Sequence, residues 1–387
     1  MLATIKKEKK VGIVIHDKAQ LFSNGITQNA FFLKQCLENI GYTTQFLCPE
    51  ENPSPFAYGD GIPMKSLSEN PLFFDPEEYA LVITVTRGIS SELRDILKAH
   101  KIPYVSLICG NRLLMDIEGF VYQLPHSKGT FIGKFGACDE VWAIESFAFQ
   151  CDYLKIMRDT PAYPVPHLWS HSVMKYYHMI RTKSESDEAL IYNIEHRKKN
   201  KITLIIMEPN MQFLKCSWIP LVAAEHLHIM YPDLIDEVYV FNFPETDLTN
   251  AMADQLTLGK KIRRFKRLSM PEILNHFNNS VETTPIIISH QIMTNLNYLY
   301  YESLYYGFPL VHNSPELGGC GYEYSTYSIT SCADAVYKAW QHHNKNYLFE
   351  REKNLKFMER FDPLNERVGK AFDQMIANVI LKVQNSS

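Results

Sequence analysis

Short aliphatic runs recur along the chain, each followed by a polar turn and then by apolar residues spaced as on one face of a helix. In the first half, residues 11–16 (VGIVIH), 43–47, 81–86, 104–108 and 140–143 read as strands, and residues 28–40, 90–100 and 146–157 as helices. Continuous apolar runs suit parallel strands covered on both faces, and their alternation with helices predicts a doubly wound α/β sheet. The run Val165-Pro166-His167-Leu168-Trp169 closes this half. Residues 170–200 have only brief apolar runs and end in a charged tract, as a connector with one or two helices would. The alternation restarts at residues 201–207 (KITLIIM), followed by the polar turn 208–215, a helix over 217–230 and a strand over 238–241. Residues 333–343 and 348–361 read as two helices, and Asp362-Pro363-Leu364-Asn365 breaks them from a last amphipathic helix over 367–383. The organisation expected is an α/β domain over 1–169, a connector over 170–200, a second α/β domain over 201–340 and terminal helices over 341–387.

Composition narrows the class. The chain has 387 residues, 46% hydrophobic and 21% charged, enough for two globular domains. Its formal net charge of −4 excludes a generally basic nucleic-acid coat and leaves room for local basic patches. The eight cysteines form no C-x-x-C pair and lie in apolar segments, which predicts reduced, buried thiols and a cytoplasmic protein. The basic start leads into an apolar run too short for a signal peptide, and no stretch approaches the roughly 18 apolar residues of a membrane span.

Candidate chemistry collects after the strands, where α/β sheets bind ligands. Ser23-Asn24-Gly25 follows the first strand, and is read equally as a ligand loop or as a turn and helix cap. Asn210 and Lys215 follow the strand that opens the second half, with Lys215 placed to meet a phosphate near a helix start. The most basic tract, 260–267, precedes Ser269-Met270-Pro271-Glu272, a helix-start signal. Most informative is the stretch 285–323, PIIISHQIMTNLNYLYYESLYYGFPLVHNSPELGGCGYE, a β–α–β pattern with polar residues at its junctions. In it Glu302 stands five positions before Gly307 among large apolar residues.

A Glu, four residues, Gly-x-Pro, a short strand and a polar loop resemble the nucleotide-sugar signature of GT-B glycosyltransferases. The resemblance implies two Rossmann-like domains facing a central cleft, with Glu302 accepting from the nucleotide ribose and the loop of Asn313 and Ser314 beside the donor. It implies that Lys266 and Arg267 reach the donor diphosphate, and that Asn24 and Gly25 lie where acceptor and donor meet. His290 and Asn295 adjoin the presumed donor pocket. Many retaining members carry a second Glu eight residues earlier, where this chain has Thr294. More widely, SNG-x-x-QN, EPN-x-x-x-x-K and NLNYLYYESLYYGFPLVHNS are similar to a family of GT-B-like proteins of bacteria and phages.

No D-x-D pair occurs, so a leaving diphosphate would be stabilised by Lys215, Lys266, Arg267 and backbone N–H groups, without a metal ion. The expected co-substrate is a UDP-linked sugar, with no bound cofactor. An inverting course needs a base near the acceptor hydroxyl. His16, Asp17, His126 and His290 are the candidates, and Asp17, at the end of the first strand, is preferred. The acceptor implied is an envelope glycan or hydroxymethylated cytosine in phage DNA. A sugar-nucleotide epimerase or a non-catalytic nucleotide-sugar binding protein would use the same shell.

Overall fold

The computed structural model describes residues 9–15, 21–22, 25–48, 64–66, 74–85, 88–122, 138–194, 198–279 and 282–385. The chain divides into two compact units, Met1–Val173 with Arg360–Ser387, and Met174–Glu359. Residues 174–194, expected in a connector, therefore belong to the second unit.

The first unit is built on seven parallel strands: β1 (Lys10–Val14), β2 (Thr43–Cys48), β3 (Met64–Ser66), β4 (Tyr79–Val85), β5 (Tyr104–Ile108), β6 (Glu140–Ile144) and β7 (Ala162–Val165). Their order is β3-β2-β1-β4-β5-β6-β7, so the direction of winding reverses between β1 and β4. Every residue of the central strands β4, β5 and β6 is buried, the covering on both faces that an unalternating apolar run predicts. Helices α1 (Gly25–Asn39), α2 (Ser91–Ala99), α3 (Arg112–Tyr122) and α4 (Cys151–Arg158) follow β1, β4, β5 and β6. Residues 146–150, expected at the start of α4, belong instead to a separate 3-10 segment, Glu145–Gln150.

In the second unit β8 (Lys198–Ile206), β9 (Ile235–Phe241), β10 (Ile262–Phe265), β11 (Thr283–Ile288), β12 (Leu310–His312) and β13 (Tyr322–Glu323) are again all parallel. Their order, β10-β9-β8-β11-β12-β13, is that of a Rossmann sheet, with its switch point between β8 and β11. The unit begins within α5 (Ser172–Thr182) and adds α6 (Trp218–Met230), α7 (Asp247–Asp254), α8 (Met270–Asn279), α9 (Tyr298–Tyr305) and α10 (Ile329–Met358).

One strand was not anticipated, and one reading is corrected. Residues 262–265 of the basic tract form the edge strand β10, because Ile262 is buried while Arg263 and Phe265 face out in alternation. The two helices expected between 333 and 361 are one helix of 30 residues, α10. The polar tract between them breaks nothing, because side chains at the junction are held from outside the helix: the buried His343 Nε2 lies 2.9 Å from Gly307 O, and the half-buried Asn344 Oδ1 accepts from Tyr192 Oη at 2.8 Å. Packing here overrides weak helix propensity.

The last helix, α11 (Glu366–Asn385), is part of the first unit. Tyr42 Oη donates to Asp373 Oδ1 at 2.8 Å, Phe372 meets the buried Trp142 edge-on, and a Cβ on Gly369 would lie 2.5 Å from Ile40 Cγ2. Among the described residues, no helix is long and apolar enough to cross a membrane.

Candidate functional site

The registers place the carboxyl ends of four strands side by side, since Ile206 pairs with both Val240 and Ile288, and Ile288 with Val311. The chain therefore delivers Glu208, Asn242, Ser289–Gln291 and Asn313 to one edge of the second sheet. Loops at this edge are tied by side chains acting as substitute backbone. Asn210, at φ +52°, donates through Nδ2 to Glu208 O, Ser217 Oγ and Asn242 O, and accepts from Ser217 N. Asn297 caps α9 through Oδ1 and donates to Gln291 Oε1 at 2.7 Å. Ser314 Oγ donates to Asn295 O, and Asn295 Nδ2 donates to Glu316 Oε1 at 2.7 Å. His312 accepts from Ser314 N at Nδ1, which leaves its protonated Nε2 to hold Cys320 O at 2.8 Å. The turn after α9 needs Gly307 at φ +76°, where a Cβ would sit 2.8 Å from the Tyr347 ring.

Four ionisable side chains stand within this framework. Glu302, one turn into α9, is 8% exposed and its carboxyl group has no hydrogen-bond partner among the described residues. Burial pushes its pKa up to about 8. Glu208 is 0% exposed; it accepts from Ser289 Oγ and, at 3.0 Å, from His290 N. Burial raises its pKa to about 7, against the pull of Ser289, Lys215 and His290 N–H. Lys215 is held through its backbone, which bridges to Gln291, while Ile292 N donates to Leu214 O at 2.8 Å. Burial lowers the Lys215 pKa, the Glu208 carboxylate raises it, and the Arg267 charge lowers it again. Lys215 and Arg267 thus lie within electrostatic range of each other.

His290 is 1% exposed and burial lowers its pKa to about 4, so the ring is neutral. Its Nδ1 lies 2.8 Å from Tyr324 Oη, and that hydroxyl donates its proton to Ser289 O at 3.2 Å. Nδ1 therefore carries the ring proton, and Nε2, which has no partner, carries a lone pair. The exposed Tyr327 ring lies 5.8 Å from the His290 ring.

Several expected positions read differently. Asn210, Asn295, Asn313 and Ser314 do collect at this edge, but their polar atoms bind the neighbouring loops. Lys266 and Arg267 are exposed, whereas much of the basic tract is engaged within its own unit. Arg263 pairs with Glu237 at 2.7 Å, Arg264 with Asp254 at 2.7 Å, and Lys261 Nζ donates to Pro232 O and Ile235 O. Of the run Tyr298, Tyr300, Tyr301, Tyr305 and Tyr306, a partial source of aromatic faces for a glycan on the sequence alone, all are buried but Tyr305, which is half-buried. In the first unit Gly25 opens α1, while Asp17, Asn24, His16 and His126 lie outside the described residues. Glu208, Ser289, Gln291 and Tyr324 were not anticipated. The available signal for Glu208 was a carboxylate directly after the apolar run of β8.

Two parallel Rossmann sheets with this strand order define a GT-B fold, and solved structures agree. Sucrose-phosphate synthase from Thermosynechococcus elongatus matches with a TM-score of 0.57 at 9% identity, over 96% of this chain and 100% of that one. An alpha-glucosyltransferase in complex with UDP and a 13-mer DNA containing a HMU base gives 0.57 at 9% identity, over 96% and 99%. WaaG, a glycosyltransferase involved in lipopolysaccharide biosynthesis, gives 0.54 at 11%, over 95% and 99%. The chain itself belongs to the family described as "Protein of unknown function (DUF2827)", whose profile matches residues 10–376. No curated protein sequence matches it.

Proposed function

We propose that the chain is a glycosyltransferase that moves a sugar from a UDP-linked donor to an acceptor hydroxyl, with the donor held by the second unit. The observation that carries this reading is Glu302, a buried carboxyl group without a hydrogen-bond partner among the described residues. A carboxyl group with so little contact with water gains from any donor that reaches it, and the vicinal hydroxyls of a ribose supply two. Lys215, with Lys266 and Arg267, supplies positive charge for the departing diphosphate, and no metal ion is required for that step. In the transfer an acceptor oxygen bonds to the anomeric carbon, the bond from that carbon to the diphosphate breaks, and a base takes the acceptor proton. Asp17 and the Nε2 lone pair of His290 are the proposed bases. Asn24 and Gly25 are proposed beside the acceptor, while Asn210, Asn295, Asn313 and Ser314 act by positioning the loops around the donor.

Of the two acceptor classes, a glycan is preferred to duplex DNA, because Lys261, Arg263 and Arg264 are engaged inside their own unit. The test is a screen of nucleotide sugars with oligosaccharide and hydroxymethylated DNA acceptors, read by chromatography that resolves epimers coupled to mass spectrometry. Sugar transfer with release of UDP is expected. Conversion of the free sugar nucleotide without an acceptor would instead identify an epimerase, and binding without consumption a carrier.

A further inference from the structure

Glu208 has half a carboxyl group unaccounted for. Its Oε1 receives the Ser289 hydroxyl and the His290 N–H, while Oε2 is buried with no hydrogen-bond partner among the described residues. The groups around it come from four elements. Its own loop brings Lys215, the cation whose charge acts on it. The end of β11 brings Ser289 and the neutral His290. Helix α9 brings Tyr300 and the segment after β13 brings Tyr324, both phenols kept protonated by burial. Asn242, from the end of β9, meets only the Glu208 backbone carbonyl. Glu208 thus has one cationic neighbour among the described residues, and that neighbour is the lysine assigned above to the donor diphosphate.

Two anions cannot both rely on one ammonium where water is excluded. A diphosphate drawn to Lys215 withdraws its compensation from Glu208 and places further negative charge beside the carboxylate. We propose that Glu208 is a proton-linked counter-charge: when a diphosphate docks on Lys215, the carboxylate takes up a proton from solvent. This rests on the donor reading above. Burial already holds the free carboxyl group at about 7, so a further upward shift moves its titration through the neutral range. Uptake is small below about pH 6, where the group is already protonated, and approaches one proton near about pH 8. Diphosphate affinity then falls with rising pH by up to about tenfold per pH unit over that interval.

The test is calorimetric titration of the full chain with UDP at about pH 8, in two buffers of different ionisation enthalpy, which counts protons exchanged on binding. At that pH the terminal phosphate of UDP, with its pKa near about 6, is already ionised. Glu208→Gln keeps a carbonyl to accept from Ser289 and His290, and Glu208→Ala removes the titrating group without adding an amide. Protons exchanged by Glu302 or by the ligand appear equally in all three proteins, so the difference isolates Glu208. The wild type is expected to take up about half to one proton more than either variant. UDP binding with equal proton counts in all three places the proton elsewhere, on Lys215 for example, and overturns the inference while leaving the donor site intact. No UDP binding by the wild type at any pH overturns both.

Discussion

Asn313 holds Gln291 by both ends of its peptide: Oδ1 accepts from Gln291 N at 2.9 Å, and Nδ2 donates to Gln291 O at 2.7 Å. One amide side chain thereby continues the β11–β12 pairing past the ends of the strands and fixes the loop that leads to α9. Asn313→Asp keeps the acceptor but sets a carboxylate oxygen against the Gln291 carbonyl. The expected loss is about 1–3 kcal/mol of stability in urea denaturation, with a parallel loss of UDP affinity. Unchanged affinity alongside lowered stability would show that this tie does not shape the donor site.

Glu302 makes a prediction whose sign depends on pH. Its folded-state pKa, about 8, lies above the ordinary glutamate value of 4.5, so the folded state holds the proton more tightly. The stability this contributes is fully present below the unfolded pKa and is lost as pH rises through the folded one. Glu302→Gln, which does not titrate, should therefore gain on the wild type between about pH 5 and 8, by at most about 1.4 kcal/mol per pH unit. Denaturation midpoints at several pH values test this, and a pH-independent difference would contradict it. The same variant should bind UDP more weakly, since an amide cannot accept from both ribose hydroxyls as a carboxylate does.

Glu302 also marks how far the sequence was legible. Its spacing from Gly307 drew attention to it, because a carboxylate among Tyr300, Tyr301, Leu304 and Tyr306 is anomalous in any helix packed on a sheet. The two sheets were readable for a related reason: buried parallel strands must be continuous apolar runs. Edge elements escaped. β10 hides in a tract of alternating cations because only Ile262 needs burial, and the polar tract around Asn344 looked like a break because its buried partners, Gly307 and Tyr192, are remote in sequence. The roles of Asn313 and Ser314 were hidden for the same cause. A polar residue after a strand looks the same in sequence whether it serves a ligand or a neighbouring loop.

Lys215→Ala should weaken UDP binding about ten- to a hundredfold and slow turnover at least as much, since it removes charge from both the bound donor and the leaving group. Lys266→Ala, at an exposed position, should cost only a few-fold, and less at high salt. Calorimetry and steady-state kinetics on the two variants separate these effects. Turnover is also expected to survive a chelator; inhibition that a divalent ion reverses would assign the leaving-group charge to a metal instead.

The acceptor can be decided by salt. Each phosphate neutralised on duplex DNA contributes about −0.9 to the slope of log K against log salt. With Lys261, Arg263 and Arg264 engaged internally, the exposed lysines Lys260 and Lys266 of the tract add only about −2 to the slope. Weak binding of hydroxymethylated duplex with a slope no steeper than this, together with transfer to an oligosaccharide, is the expected outcome. A glycan needs an aromatic face, which Tyr298, Tyr300 and Tyr301 of α9, being buried, do not offer; Tyr327, 61% exposed and beside His290, does. Tyr327→Ala should then raise the acceptor KM several-fold and leave UDP affinity unchanged. A slope near −6, with sugar appearing on the DNA and no effect of Tyr327→Ala, would reverse the assignment.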